Sequence, residues 1–243
     1  DTTRVIDAST AHRTHPKWLY GFPELVGRDQ IAEARRVSNP GCYSTGFIAL
    51  VAPLVKAGLL PADWPYVCNA VSGYSGGGKK MIAEYEAAAQ PGGDAKYKSP
   101  RPYALGLAHK HIPEMMAHTG LRSAPLFMPI VSNFYKGLCV SVPLHLSTLA
   151  PGTTGAHLQG ALAQRYAGER FIRVMPLSDP ETLATGFFDV QACNDTNRVD
   201  LFVFANEAQA VLMARLDNLG KGASGAAVQA MNVHLGCEES LGL

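Results

Sequence analysis

The chain is short of charge. Of its 243 residues only 17% are Asp, Glu, Lys or Arg, and 21 basic side chains stand against 20 acidic ones, for a net charge of +1. Such a balance gives no electrostatic case for nucleic acid or an anionic membrane surface. No apolar run approaches the roughly 18 residues that a membrane-spanning helix needs. Cysteine is sparse: five residues, at positions 42, 68, 139, 193 and 237, with no Cys-x-x-Cys pair. An odd, widely spaced set argues against a disulfide framework or a Cys-rich zinc site, and for a reducing, cytoplasmic setting. Internal repeats and low-complexity tracts are missing. So are the P-loop spacing and any Gly-x-Gly-x-x-Gly turn after a strand. What is plentiful is apolar surface, 47% of residues, which excludes a disordered chain and supplies a sizeable core.

Pattern divides the chain unevenly. Val5–Arg13 reads as a short strand running into a polar loop, a pattern met in its middle, so a preceding segment is expected. Asn39-Pro40-Gly41-Cys42 makes a tight turn; Phe47, Ile48, Leu50, Val51, Leu54 and Val55 then recur at helical spacing up to Gly58. Tyr66–Val71 reads as a buried strand leading into the glycine-rich Ser72–Lys80, with a helix from about 81 to 89. Residues 90 to 102, rich in Pro and Gly, read as an irregular connection. Beyond Leu126, strands are expected at 126–133, 137–146, 171–175, 188–193, 200–205 and 208–216. The last two form a hairpin about Asn206-Glu207, and helices lie near 153–166 and 225–235. Runs of strands with few helices between them indicate an α+β fold with a mixed or antiparallel sheet.

Four segments carry candidate chemistry. Cys42 falls at a helix N-terminus, where backbone N–H groups and the helix dipole favour a thiolate nucleophile. Cys68, Cys139 and Cys193 fall in apolar strands and read as structural. His109-Lys110-His111-Ile112-Pro113-Glu114 precedes a helix whose first turn suits Pro113 and Glu114. A histidine there could pair with a thiolate or donate a proton. A His-x-His metal site lacks supporting ligands, so no metal is expected. The glycines of Ser72–Lys79 expose amides that could cradle a phosphate, or simply form a flexible loop. Gly220–Asn232 sets small residues before a helix with Ser224 as its cap.

Taken in order, Asn-Pro-Gly-Cys-Tyr-Ser-Thr-Gly at 39–46, Ser-Gly-Tyr-Ser-Gly-Gly-Gly-Lys at 72–79, His-Lys-His-Ile-Pro-Glu-Met at 109–115 and Lys-Gly-Ala-Ser-Gly-Ala-Ala-Val-Gln-Ala-Met-Asn at 221–232 resemble the N-acetyl-gamma-glutamyl-phosphate reductases. Asp7–Arg13 matches the shorter form of that family. The resemblance covers nearly the whole chain. It implies a glyceraldehyde-3-phosphate-dehydrogenase-like C-terminal domain plus the remnant of a Rossmann domain. On that basis residues 1–40 end an NADP-binding domain, 41–218 form the catalytic, substrate and oligomerisation domain, and 219–243 return to the NADP-binding domain. It further implies NADPH-dependent reduction of N-acetyl-glutamyl 5-phosphate to the 5-semialdehyde, with phosphate release, in arginine biosynthesis. The remaining Rossmann half and further copies of the chain would be its partners.

Residue roles follow from the same resemblance. Cys42 is the nucleophile that carries a thioester, and His111, in preference to His109, moves the proton. An ion pair between Cys42 and His111 would lower the thiol pKa and raise that of the imidazole. Ser72, Gly73, Ser75, Gly76 and Gly77, with Gly222, Ser224, Gly225 and Asn232, lie near the cofactor; Gly77 stands where the family often has Ala. Asn39 is a candidate oxyanion donor. Arg13, Arg101 and Lys110 are candidates for the substrate's acetamide and carboxylate, and Glu114, which with Pro113 could orient His111, is counted with Asn39 among the substrate-binding residues. The alternatives are an aspartate-semialdehyde dehydrogenase-like reductase, which the His-Lys-His and Lys-Gly-Ala-Ser-Gly segments disfavour, and a substrate or dimerisation fragment inert by itself. A cysteine hydrolase would have no use for the glycine-rich segments.

Overall fold

The computed structural model describes residues 3–243. Near its start, Val5–Asp7 (β1), Leu19–Tyr20 (β2) and Arg36–Ser38 (β3) form a small parallel sheet in the order β1-β3-β2. Parallel neighbours need a crossover. Here it is made by two short helices, Pro23–Val26 (α1) and Arg28–Glu33 (α2), separated by Gly27 at φ +97.

The turn at Pro40-Gly41 then opens Cys42–Lys56 (α3). Val67–Gly73 (β4), Gly78–Ala88 (α4), Arg101–Pro102 (β5), Ile112–Thr119 (α5), Leu126–Ser132 (β6) and Leu138–His145 (β7) follow. The chain continues through Gly155–Arg165 (α6), Ile172–Val174 (β8), Pro180–Thr185 (α7), Val199–Ala205 (β9), Gln209–Leu216 (β10) and Gly225–Leu235 (α8). The large sheet has seven strands in the order β5-β6-β4-β7-β10-β9-β8. It is mixed: β4 and β6 pair in parallel, as do β8 and β9, and the remaining pairs are antiparallel.

Helix α3 runs through the middle of the core. Every residue from Tyr43 to Leu54 is buried, so the helix is enclosed all round rather than on one face. It sits close to the sheet because Gly46 has no side chain: a Cβ there would lie 3.0 Å from Val140 and 3.3 Å from Ala214. Pro53 cannot donate to the carbonyl of Ala49. The Tyr166 hydroxyl donates to that carbonyl instead, at 2.8 Å, and ties α6 to α3. A second, small core of Ile31, Val37 and Ala230 joins α2, β3 and α8, so the C-terminal helix packs against the N-terminal sheet.

Several expectations from the sequence need correction. Phe188–Cys193 is a series of turns, not a strand. The Asp189 side chain accepts the Gln191 N–H, Asn194 N–H donates to Gln191, and Thr196 Oγ1 donates to Cys193, which leaves the backbone no ladder partners. Cys193 therefore lies beside β9 rather than in a strand, its thiol 3.3 Å from Asp200. Residues 90–102 are not wholly irregular, since they hold a short helical turn and edge strand β5. Ser224 does not cap α8. The helix is entered through a wide π-helical turn over Gly220–Ser224, so Ser224 is already helical and its hydroxyl donates to Leu219 O.

Candidate active site

Cys42 occupies the first position of α3, preceded by Gly41 in extended conformation. The amides of Cys42 and Tyr43 face its sulfur and favour a thiolate, as a helix N-terminus should. The turn is held from behind by Glu114, in the first turn of α5 and buried. Its Oε1 accepts from Gly41 N–H at 2.7 Å and from the Tyr20 hydroxyl at 2.6 Å, while Oε2 pairs with Arg13 at 3.3 Å. One carboxylate thus ties β2, the loop after β1, the Cys42 turn and α5 together. There is no room for more: a Cβ on Gly41 would lie 2.4 Å from Arg13 Nη1, 2.5 Å from His111 Nε2 and 2.9 Å from Glu114 Oε2. His111 Nε2 is therefore directly over the residue that precedes the thiol.

His109-Lys110-His111 is a tight turn, closed by Ile112 N–H donating to His109 O. The rings converge, with centroids 4.8 Å apart. His109 Nδ1 accepts the His111 backbone N–H at 3.2 Å, which leaves Nε2 to carry the proton of the neutral ring. Tyr43, Tyr103 and Phe127 surround His109, and the two tyrosine hydroxyls meet at 3.2 Å. His111 is buried and its Nδ1 has no partner among the described residues.

These groups open onto a cavity of about 350 Å³. Cys42, His109, His111, Arg13, Ser72, Gly73, Ser75, Gly76, Gly77 and Gly222 all line it. The glycine-rich segment is a short helical turn between β4 and α4, and Asn218 pins it by donating to Ser75 Oγ at 2.9 Å. Gly222 closes the opposite wall, where a Cβ would stand 2.8 Å from that of Cys42.

The remaining candidates lie elsewhere. Asn39, the candidate oxyanion donor, does not line the cavity, and its amide donates to Ala223 O. Arg101 stacks over the Tyr97 ring on edge strand β5. Ser224 and Gly225 line a separate cavity with Lys136 and Asp195. Asn232 is buried beneath the C-terminal tail, donating to the carbonyls of Glu239 and Leu241. Sequence reasoning missed Asn218, Tyr43 and Tyr103 as wall residues, and no local signal marks them. It also missed the buried pair behind Gly222, in which Lys221 donates to both oxygens of Glu24 at 2.7 and 2.8 Å and also to Gln229.

The electrostatics differ from the expected ion pair. Burial pushes the Cys42 thiol up to about 11, with Glu114 adding to the rise and the helix amides opposing it. Burial, then the neighbouring His109, Arg13 and Lys110, pushes His111 down to about 2, and burial with Lys110 takes His109 to about 4. The resting site therefore holds a neutral thiol beside neutral imidazoles. Among the described residues no group of His, Cys, Asp and Glu could hold a metal ion.

Comparison with known proteins first defines the class. The family profile "Semialdehyde dehydrogenase, dimerisation domain" matches residues 42–218. The fold resembles aspartate semialdehyde dehydrogenase II from Vibrio cholerae, with a TM-score of 0.67 and 17% identity over 95% of this chain and 72% of that one. It also resembles aspartate semialdehyde dehydrogenase from Francisella tularensis, with a TM-score of 0.66 and 14% identity over 94% and 73%. At such identities the likeness is one of fold alone. Sequence relatives are much nearer. N-acetyl-gamma-glutamyl-phosphate reductase 2 of Nostoc sp. is 51% identical over 99% of this chain and 76% of its own length. The N-acetyl-gamma-glutamyl-phosphate reductase of Burkholderia lata is 50% identical over 97% and 74%. The chain belongs to the N-acetyl-gamma-glutamyl-phosphate reductase family.

Proposed function

We propose that this chain carries the acylating site of an NADPH-dependent reductase that converts N-acetyl-glutamyl 5-phosphate to the 5-semialdehyde, a step of arginine biosynthesis. The observation that supports it most directly is the convergence of Cys42, at a helix N-terminus, with His111 and the glycine-rich turn on one cavity. Cys42 is the nucleophile. Its sulfur attacks the acyl carbon, phosphate departs, and the acyl group stays on Cys42 as a thioester. The thiol proton passes to the His111 imidazole, and the amides of Cys42 and Tyr43 stabilise negative charge at the reacting end. Once the thioester has been reduced, the C–S bond breaks to free the aldehyde, its electron pair stays on the Cys42 sulfur, and the proton held by His111 returns there. The neutral resting pair suits this order, because the thiolate is generated only when an acceptor carbon is present.

The residues fit the nicotinamide end of a dinucleotide. A Cβ at Gly76 would meet only Asn218 and Ser72, at 3.6 and 3.7 Å, so the backbone there faces open space against which a planar ring can lie. A cavity of about 350 Å³ takes that ring and the acyl group, not the whole dinucleotide. When bound, the cofactor supplies the hydride that brings the thioester to the aldehyde level. Residues 1–40 and 219–243 form the edge of the cofactor-binding domain, and 41–218 form the catalytic and subunit-contact domain of a homo-oligomer. The resemblance supports NADPH as the nucleotide and the cytoplasm as the setting.

The test is acyl transfer itself. Incubated with N-acetyl-glutamyl 5-phosphate, the chain gains the mass of one acyl group on Cys42 and releases one phosphate. Cys42→Ser lowers that rate at least about a hundredfold. A wild-type chain that releases no phosphate, or is acylated on another cysteine, overturns the reading.

A further inference from the structure

Two cationic side chains line the cavity beside Cys42, and they are not equivalent. Arg13 is already engaged. Its Nε donates to Asn39 O at 2.8 Å, Nη1 pairs with Glu114 at 3.3 Å, and Nη2 reaches Ala8 O at 3.4 Å. Lys110 is exposed on the same wall and makes no ion pair or hydrogen bond with any described residue. No Asp or Glu lines the cavity; Glu114 lies behind Gly41 with its oxygens directed at Gly41, Tyr20 and Arg13. A lysine that stands between His109 and His111 in sequence, on a cavity wall without a carboxylate, leaves that wall with uncompensated positive charge. That charge is suited to an anion arriving from solution.

The anion must also be near the sulfur. His111 Nε2 sits over Gly41, one residue from Cys42, and Lys110 adjoins His111 in the same tight turn. The substrate group nearest the sulfur at the moment of attack is the phosphoryl group on the acyl carbon. The α-carboxylate lies at the far end of the carbon chain and carries half the charge.

We propose that Lys110 binds the phosphoryl group of the acyl-phosphate substrate and holds it as the leaving group while Cys42 attacks. The inference rests on the reading of Cys42 given above and adds a residue to it. In the step, a C–S bond forms and the acyl C–O bond breaks. The electron pair leaves with phosphate, which Lys110 neutralises, and the thiol proton goes to His111. Nothing is oxidised or reduced.

The experiment measures acylation of the purified chain by two acyl phosphates, N-acetyl-glutamyl 5-phosphate and butyryl phosphate, which lacks both carboxylate and acetamide. Phosphate release and intact mass are the readouts. Lys110→Met is expected to lower the acylation efficiency on the order of a hundredfold for both compounds, mainly through weaker apparent binding, while Lys110→Arg stays within about fivefold of wild type. Because the side chain is exposed, both variants are expected to melt with the wild type. Loss confined to N-acetyl-glutamyl 5-phosphate would assign Lys110 to the carboxylate or acetamide and overturn the proposal. So would a Lys110→Met variant that acylates as fast as wild type. A wild-type chain inert to both compounds would instead refute the Cys42 reading, and this inference with it.

Discussion

Replacing Glu114 by Gln keeps the shape of the side chain and removes its charge, which tests whether the carboxylate holds the site together. Three donors converge on it: Gly41 N–H at 2.7 Å, the Tyr20 hydroxyl at 2.6 Å and Arg13 Nη1 at 3.3 Å. An amide cannot satisfy all of them. If its oxygen faces Gly41 and Tyr20, its NH2 points at the Arg13 guanidinium. If it flips, the Gly41 N–H is buried against a donor. Removing one partner of a buried pair costs about 3–5 kcal/mol. Here Arg13 keeps two backbone carbonyls and is 10% exposed, so about 2–3 kcal/mol is expected, close to one lost charge-assisted hydrogen bond. Urea unfolding would show this as a lower midpoint with an unchanged slope. Acylation of Cys42 should fall in parallel, because Gly41 and the residue carrying the nucleophile lose their anchor. A loss below about 1 kcal/mol, with acylation intact, would show that the three contacts do not cooperate and that Glu114 is a bystander.

Other expectations follow from the same geometry. His111→Asn should slow acyl transfer on the order of 10²–10⁴-fold and His109→Asn clearly less; stopped-flow phosphate release separates them, and the reverse order would exchange their roles. Gly222→Ala, which drives a Cβ to 2.8 Å from that of Cys42 and 3.1 Å from Asp217 O, should cost about 1–3 kcal/mol and displace the nucleophile; a variant as stable and active as wild type would show that the wall yields freely. Stability should fall with acidification. His111 at about 2 and His109 at about 4 are depressed below their ordinary value of 6.5, so the unfolded chain binds more protons as pH drops from 6.5 toward 4. Denaturation midpoints over that range should decline less in His111→Asn, and equal slopes in the two proteins would contradict the buried neutral imidazole.

The parts legible in the sequence were those written in local chemistry. The β9–β10 hairpin shows as two apolar runs joined by Asn206-Glu207, and Pro40-Gly41 announces the start of α3. Helices α1, α2 and α7 are no longer than six residues, too short for a period to emerge. Phe188–Cys193 has a strand's composition, yet Asp189 diverts its backbone into a turn. At the site, Cys42, the two histidines and the glycine-rich turn stand out because each needs a particular local conformation. Asn218 and Tyr103 do not. The role of Glu114 depends on partners 73, 94 and 101 residues away, contacts no window of sequence contains. Arg101 and Asn232 illustrate the converse: chemically suitable residues that the fold turns toward a tyrosine ring and a chain end.

The pair between Glu24 and Lys221 joins residues 197 positions apart, and Gln229 bridges Glu24 to Glu239 in the tail. This bears on the order in which the chain assembles. Closing a loop that long from an unfolded coil is slow, since its entropy must be surrendered before any contact repays it. The seven-stranded sheet is built wholly from strands that lie between those two residues and has the short β9–β10 hairpin with which to begin. Once it has formed, α1 and α8 emerge near each other and the remaining search is short. The small sheet, whose core of Ile31, Val37 and Ala230 draws on both ends of the chain, is then the last part to dock and the first to open. Amide exchange in β1 and β3 should accordingly outpace that in β7 and β10, and the Cys42 turn, anchored by Glu114 to Tyr20 of the small sheet, should share its rhythm of opening.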